Sequence, residues 1–197
     1  LYTNMGATRN VVALDATNGQ MLWMWRPREG DRYDQAPRKG SGRGVAFWTD
    51  GTKKRVIDVT PGYQMVSLDA ETGIPDPDFG NNGIVDLFVG LRNADDPRFP
   101  YPDIGLSAAP FVMNDVIVVG AAHRTGGRPR AMSNVKGDVR GFDARTSARG
   151  AEDVGWPLGE ARVDQTGEER IDRAGLDLGV FVNKEIVEQA ALELELK

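Results

Sequence analysis

The chain contains no cysteine among its 197 residues. That absence excludes disulfides and thiolate metal centres, yet it is compatible with either the cytoplasm or the periplasm. No apolar run is long enough to suggest a membrane span. The N-terminus also lacks the charged-then-apolar pattern of an export signal, so any such signal would lie outside this sequence. Nor is there a dominant charge: 24 basic against 29 acidic side chains leave −5, which gives no electrostatic case for binding nucleic acid. The imbalance is local, because residues 151–197 hold 12 acidic and 5 basic side chains. This tail is compositionally a separate segment.

What is present is turn chemistry and a repeat. The 24 glycines and 11 prolines, with 40% hydrophobic residues, favour an all-β fold with many turns. Residues 11–23, VVALDATNGQMLW, return in part as MVSLDAETG at 65–73 and as VRGFDARTS at 139–147. Aligned on Asp15, Asp69 and Asp143, each copy has an apolar residue before the aspartate and alanine after it. Alternating apolar residues predict a strand, the aspartate predicts an Asx-type turn, and Gly19 and Gly73 supply the positive φ of a tight turn. Sheets of this kind cover their faces by stacking on neighbouring copies, as in propellers and solenoids. Further strands are expected at 1–6, 44–48, 55–60, 84–89, 109–113 and 116–121, with polar loops at 26–44 and 92–105. The three repeated aspartates occupy equivalent turns, so they read as caps spread around a ring rather than as one carboxylate cluster. GNNG and RTGG lack the strand and helix context of a phosphate cradle.

The repeat fails at residue 147, where serine replaces the turn glycine. The division is therefore drawn as a propeller segment over 1–146 and an atypical acidic tail over 147–197. Ile186, Val187, Ala190, Ala191 and Leu194 predict a short helix in that tail. A family extension, a gene fusion and a shifted reading frame all remain open for its origin.

The segments GRGVAFW, SLDAETGIPDPDFGNNGIVDL and KGDVRGFDART resemble the quinoprotein dehydrogenases that use pyrroloquinoline quinone (PQQ), in particular glucose- and alcohol-dehydrogenase-like members. The resemblance spans roughly residues 1–146. It implies about two and a half four-stranded blades of an eight-bladed propeller, in which Trp23 wedges between blades near the Ala13 and Gly19 positions of a neighbouring motif. It also implies oxidation of an alcohol or sugar, with PQQ and Ca²⁺ as cofactors and a quinone or cytochrome as electron acceptor. The expected location is the periplasm, and any membrane association would come from regions outside this sequence.

By the same resemblance, Arg43 pairs with a PQQ carboxylate, for which a guanidinium fork is suited. Ser107 falls where the family places a hydroxyl reaching the cofactor. His123, in AAHRTGG, lies on the loop side where the family keeps it. The pattern also departs from methanol-dehydrogenase-like members: Pro37 and Arg38 occupy the spacing of their adjacent cysteines, and Thr125 that of a metal-binding glutamate. The remaining Ca²⁺ ligands and the catalytic base belong to later blades, so no catalytic or metal residue is nominated here. The alternative class is a non-enzymatic propeller scaffold resembling outer-membrane assembly lipoproteins.

Overall fold

The computed structural model describes residues 1–40, 44–94, 101–106, 108–124 and 131–147, with the strand pair at 162–163 and 169–170. The chain divides into two compact units, Leu1–Pro157 and Leu158–Lys197. The helix expected around Ile186 lies outside the described residues.

The first unit is a partial β-propeller. Strands β1 (Tyr2–Met5), β2 (Asn10–Leu14) and β3 (Met21–Trp25) form an antiparallel three-stranded sheet. After helix α1 (Asp31–Gln35), strands β4 (Ala46–Thr49), β5 (Lys54–Val59), β6 (Gln64–Asp69) and β7 (Ile84–Asp86) complete a four-stranded meander. Then come β8 (Ile104–Gly105), β9 (Phe111–Met113), β10 (Val116–Val119), β11 (Ala122–His123) and β12 (Arg140–Asp143). Of these, β9, β10 and β12 make the third blade, while β8 and β11 pair with each other apart from it. The second unit holds β13 (Arg162–Val163) paired with β14 (Glu169–Arg170). Two features differ from the sequence reading: α1 occupies the stretch read as loop, and β8–β11 is an additional small sheet. Neither has the length or alternation from which it could be read.

All three repeats close on the same turn. The N–H of Gly19, Gly73 and Ser147 donates to the carbonyl of Asp15, Asp69 and Asp143 at 2.8, 2.8 and 2.9 Å. Each aspartate Oδ1 also accepts the N–H two residues on, at 2.7, 3.1 and 2.8 Å. The turn needs positive φ, and the values are 75°, 72° and 69°. Ser147 keeps the geometry without glycine. Bonds from the Thr17 N–H and the Thr72 hydroxyl hold Asp15 and Asp69 below the usual carboxylate range.

Because side chains alternate along a strand, the central strands serve two interfaces. Val56 of β5 and Val66 and Leu68 of β6 pack with Val11, Ala70, Tyr2, Trp23 and Trp25 toward the first blade. Ile57, Val59 and Met65 join Ile117, Val119 and Phe142 toward the third. Fully burying each such side chain stabilises by about 1.5–3 kcal/mol. At the first interface Trp23 is half-buried, and its indole N–H donates to the Ala70 carbonyl at 3.1 Å. Its ring covers Gly73, so a Cβ built there would sit 2.5 Å from Trp23 Cε3. The expected docking on the Gly19-equivalent position is thus observed, with the hydrogen bond going to Ala70.

At the second interface the tryptophan position is taken by Pro77, and a different device replaces it. The Arg55 guanidinium, 2% exposed, pairs with Asp76 at 2.6 Å. It donates to the carbonyls of Ala144 and Arg145 in the third repeat's turn. Trp48 and Phe79 lie 5.1 and 5.7 Å from the cation.

Two outcomes follow from this packing. Gly19→Ala meets nothing within 4 Å and should cost only the left-handed backbone penalty, about 1–2 kcal/mol. Gly73→Ala should cost about 1–3 kcal/mol more, because its methyl collides with the indole. Equal losses in denaturant midpoint would show that Trp23 does not dock there. The outward flanks expose Leu22 (63%) and Phe111 (62%), so the isolated chain should self-associate in light scattering, whereas a clean monomer would contradict that.

Candidate functional site

The site lies at the end of the blades opposite the aspartate turns. Strand β10 begins at Val116, paired with Asp143, and finishes at Val119, paired with Arg140, so the chain leaves it away from that turn. It then enters β11, where His123 pairs with Ile104 of β8. The His123 Nε2 donates to the Val135 carbonyl at 2.9 Å. Since a carbonyl only accepts, this bond keeps the proton on Nε2 and leaves Nδ1 as the acceptor of the neutral ring. The imidazole is exposed and lines a cavity of about 420 Å³ with Asp103, Arg124, Asn134, Val135 and Lys136. Asp103 accepts from Arg124 Nε at 2.8 Å, and Lys136 Nζ donates to the Met132 carbonyl at 2.8 Å.

Pro37 and Arg38 pack beside the β8–β11 pair. They lie over Gly105, where an added Cβ would come within 3.4 Å of Arg38 Cβ and 3.6 Å of Pro37 Cγ. A methyl there would meet both in ordinary van der Waals contact. The Arg38 guanidinium donates to the His123 carbonyl. Arg38 therefore ties the α1–β4 loop to β11, a role its sequence position did not reveal.

Arg43 and Ser107, the other two residues expected at the site, lie outside the described residues. Their described neighbours converge, however. A Cβ on Gly44 would lie 3.3 Å from that of Ala109, and the Leu106 carbonyl accepts from Arg9 Nη2 at 3.1 Å. Arg9 is 4% exposed and also donates to the Val59 and Arg38 carbonyls. Beside it lies Asp58, 2% exposed on β5. Burial pushes the Asp58 carboxyl up to about 7, with the Asn4 amide and the Arg9 charge pulling it down and Glu29 adding to the rise. Sequence reasoning missed this group, because alternation places residue 58 inside a strand without showing what faces it.

In size, the cavity falls within the range of small-molecule sites. Its cations, Arg124 and Lys136, suit an anionic ligand. Among the described residues no grouping of His, Asp and Glu could hold a metal ion.

The family described as "Glucose/ethanol/alcohol dehydrogenase, beta-propeller domain", whose cofactor is PQQ, matches residues 1–170. The chain belongs to this PQQ-dependent dehydrogenase family. The glycerol dehydrogenase large subunit of Gluconobacter thailandicus is 31% identical over 153 residues, covering 74% of this chain and 19% of the relative. A probable quinate dehydrogenase (quinone) of Xanthomonas campestris pv. juglandis is 31% identical over 157 residues, covering 70% and 18%. Among solved structures, a quinohemoprotein alcohol dehydrogenase from Pseudomonas putida HK5 superimposes with TM-score 0.54 at 27% identity, covering 76% of this chain and 18% of that one. The chain thus spans about a fifth of the length of these PQQ-dehydrogenase relatives.

For PQQ, a flat quinone with three carboxylates, the described residues fit in part: Lys136, an imidazole and an Arg124 already paired with Asp103 line the cavity, giving donors with a small excess of positive charge. For Ca²⁺ they supply no ligand set, and no step is assigned to it.

The raised Asp58 carboxyl gives a test of the buried edge of the site. Unfolded, it titrates near 3.8, and folded, at about 7. Between these values the folded chain holds a proton that the unfolded chain has released, so this contribution to stability is full below the lower value and falls as pH rises toward the upper. Asp58→Asn should remove that slope, gaining on the order of 1–3 kcal/mol over the parent between pH 4 and pH 8. Parallel urea-midpoint profiles for the two proteins would show that Asp58 titrates normally.

Proposed function

We propose that this chain forms part of a periplasmic PQQ-dependent dehydrogenase that oxidises an alcohol or a sugar and delivers electrons to a quinone or cytochrome. The observation that carries the reading is the family match across residues 1–170, joined to a cationic cavity at the loop end of the blades. The relatives named for glycerol, quinate and glucose support a polyol, hydroxy-acid or sugar substrate.

In this reading PQQ, when bound, accepts the hydride from the substrate's carbinol carbon. The chain's own residues bind and orient it. Arg43 clamps one carboxylate bidentately, Lys136 and the Asp103-paired Arg124 offset part of the remaining charge, and Ser107 donates its hydroxyl. His123, with Nε2 held by Val135, presents Nδ1 to the cavity as a hydrogen-bond acceptor. Pro37 and Arg38, packed on Gly105, stand where methanol-dehydrogenase-like members have two cysteines. Asp103 is engaged by Arg124, so no base is assigned among the described residues. The base and the Ca²⁺ ligands are allotted to further blades of a longer protein.

The 197-residue chain should therefore bind PQQ but show no dye-linked turnover of glycerol, ethanol or glucose, even with Ca²⁺ added. Binding is read by fluorescence titration. A hydrogen bond to a charged partner contributes roughly 1.5–3 kcal/mol, so Arg43→Ala should weaken PQQ about ten- to a hundredfold. Arg43→Lys should recover part of this, since it keeps the charge and loses the fork. Arg28→Ala, an exposed loop arginine, is the control. Equal affinities for the parent and Arg43→Ala would return Arg43 to an ordinary loop charge, and turnover by the chain alone would place the base on these blades.

A further inference from the structure

The interface between the first two blades is apolar on one half and polar on the other. Val56 packs with Val11, Val66 and Leu68, but Asp58, two residues along the same face of β5, meets Asn4 of β1 and Arg9 of the β1–β2 turn. Placing a carboxyl, an amide and a guanidinium inside a packed interface is costly unless their bonds are made. Here they are made only in part: Arg9 Nε is buried without a hydrogen-bond partner, and the Asp58 carboxyl has the Asn4 amide as its hydrogen-bonding neighbour. Apolar side chains would serve packing alone at lower cost.

The bonds that are made all reach in one direction. Asn4 Oδ1 accepts the Gly44 N–H at 2.8 Å. Arg9 Nη2 donates to the carbonyls of Arg38 and Leu106, and Nη1 to that of Val59. Arg38 in turn donates to the His123 carbonyl. Gly44 directly follows Arg43 and Leu106 directly precedes Ser107. Two blade-one side chains thus hold the backbone next to Arg43 and next to Ser107, and they reach His123 only through Arg38. The bonded pairs are 29 to 97 residues apart in sequence, so nothing local fixes these segments together.

The geometry points to Asn4, Arg9 and Asp58 as a buried positioning cluster, which sets the backbone at Gly44, Arg38 and Leu106 and thereby how tightly PQQ is held. The inference rests on the PQQ reading of the cavity. It assigns the three residues no contact with the cofactor. Their action runs through Gly44, Arg38 and Leu106.

The test uses the full chain with Asn4→Ala, the mildest way to cut one tie, and reads two quantities. Amide hydrogen exchange at Gly44 should quicken about tenfold, the size of one lost neutral hydrogen bond, while the ladder amide of Val12 is unchanged. PQQ affinity by fluorescence titration should fall roughly three- to tenfold. Arg9→Lys, which keeps the charge but loses the fork joining Arg38 to Leu106, should weaken PQQ further. Asn10→Ala, which removes another first-blade amide with no tie to these segments, should leave both readings as in the parent. Unchanged exchange at Gly44, faster exchange with unchanged PQQ affinity, or an equal loss in Asn10→Ala would each overturn the proposal. A parent chain that takes up no PQQ overturns the cofactor reading and the proposal with it, and is distinguished by appearing before any substitution.

Discussion

Strand β5 is buried along five of its six residues, so neither of its faces can be left to water and each must be closed by a different blade. This constraint governs the first unit. A twisted sheet with one wet face can stand with few neighbours, but one with two dry faces has to be flanked on both sides. Everything that fixes the second blade therefore comes from chain far away in sequence: β1, β2 and β3 on one side, β10 and β12 on the other.

The two flanks are closed by different chemistry. Toward the first blade the contact is aromatic, with Trp23 lying on Gly73 and its N–H satisfying the Ala70 carbonyl. Toward the third blade it is ionic, with Arg55 buried against Asp76 and satisfying the Ala144 carbonyl. The same carbonyl of the repeat, one residue past the aspartate, is capped in both cases. A buried carbonyl at this turn requires a donor from the preceding blade, and either an indole or a guanidinium can supply it. A guanidinium brings a charge into the interface, which is why Asp76 accompanies it and why Trp48 and Phe79 lie over it.

This difference shows where the sequence is readable. The aspartate turns follow from residues within five positions of one another, and Asp15, Asp69 and Asp143 with their glycines or serine can be recognised as one motif. Trp23 can be recognised because its motif is complete. Arg55 cannot, since nothing in KRVIDV tells a solvent-facing arginine at a strand start from a buried one whose acceptors lie 89 and 90 residues away. The candidate site divides likewise. His123 stands out as the one imidazole in a glycine-rich loop, and Arg43 as part of GRGVAFW. Asn4, Arg9 and Asp58 are inconspicuous polar residues in sequence, and Arg38 reads as one loop charge among several. Helix α1 is also hidden, because DRYDQ has no apolar stripe; its own Arg32 anchors it to the second blade, donating to the Gly62 and Tyr63 carbonyls and pairing with Asp86 at 2.5 Å.

The two ends of the blades are accordingly under different constraints. At the aspartate end each turn must reverse the chain and present one carbonyl to its neighbour, which three near-identical segments achieve. At the other end no common turn recurs among the described residues. The connections there hold a helix over residues 31–35, a two-stranded sheet made by β8 and β11, and the cavity wall at 131–137. Loops that differ from blade to blade cannot brace one another by repeating a motif, so they must be tied individually. The ties present are of that individual kind: Arg32 to Gly62, Arg9 to Arg38 and Leu106, Asn4 to Gly44, Arg38 to His123. Four of these five bonds are donated by arginine, whose several N–H groups on one planar head let a single side chain reach backbone from two or three segments. That accounts for Arg9 being buried where the repeat gives way to the cavity, in a chain of net negative charge.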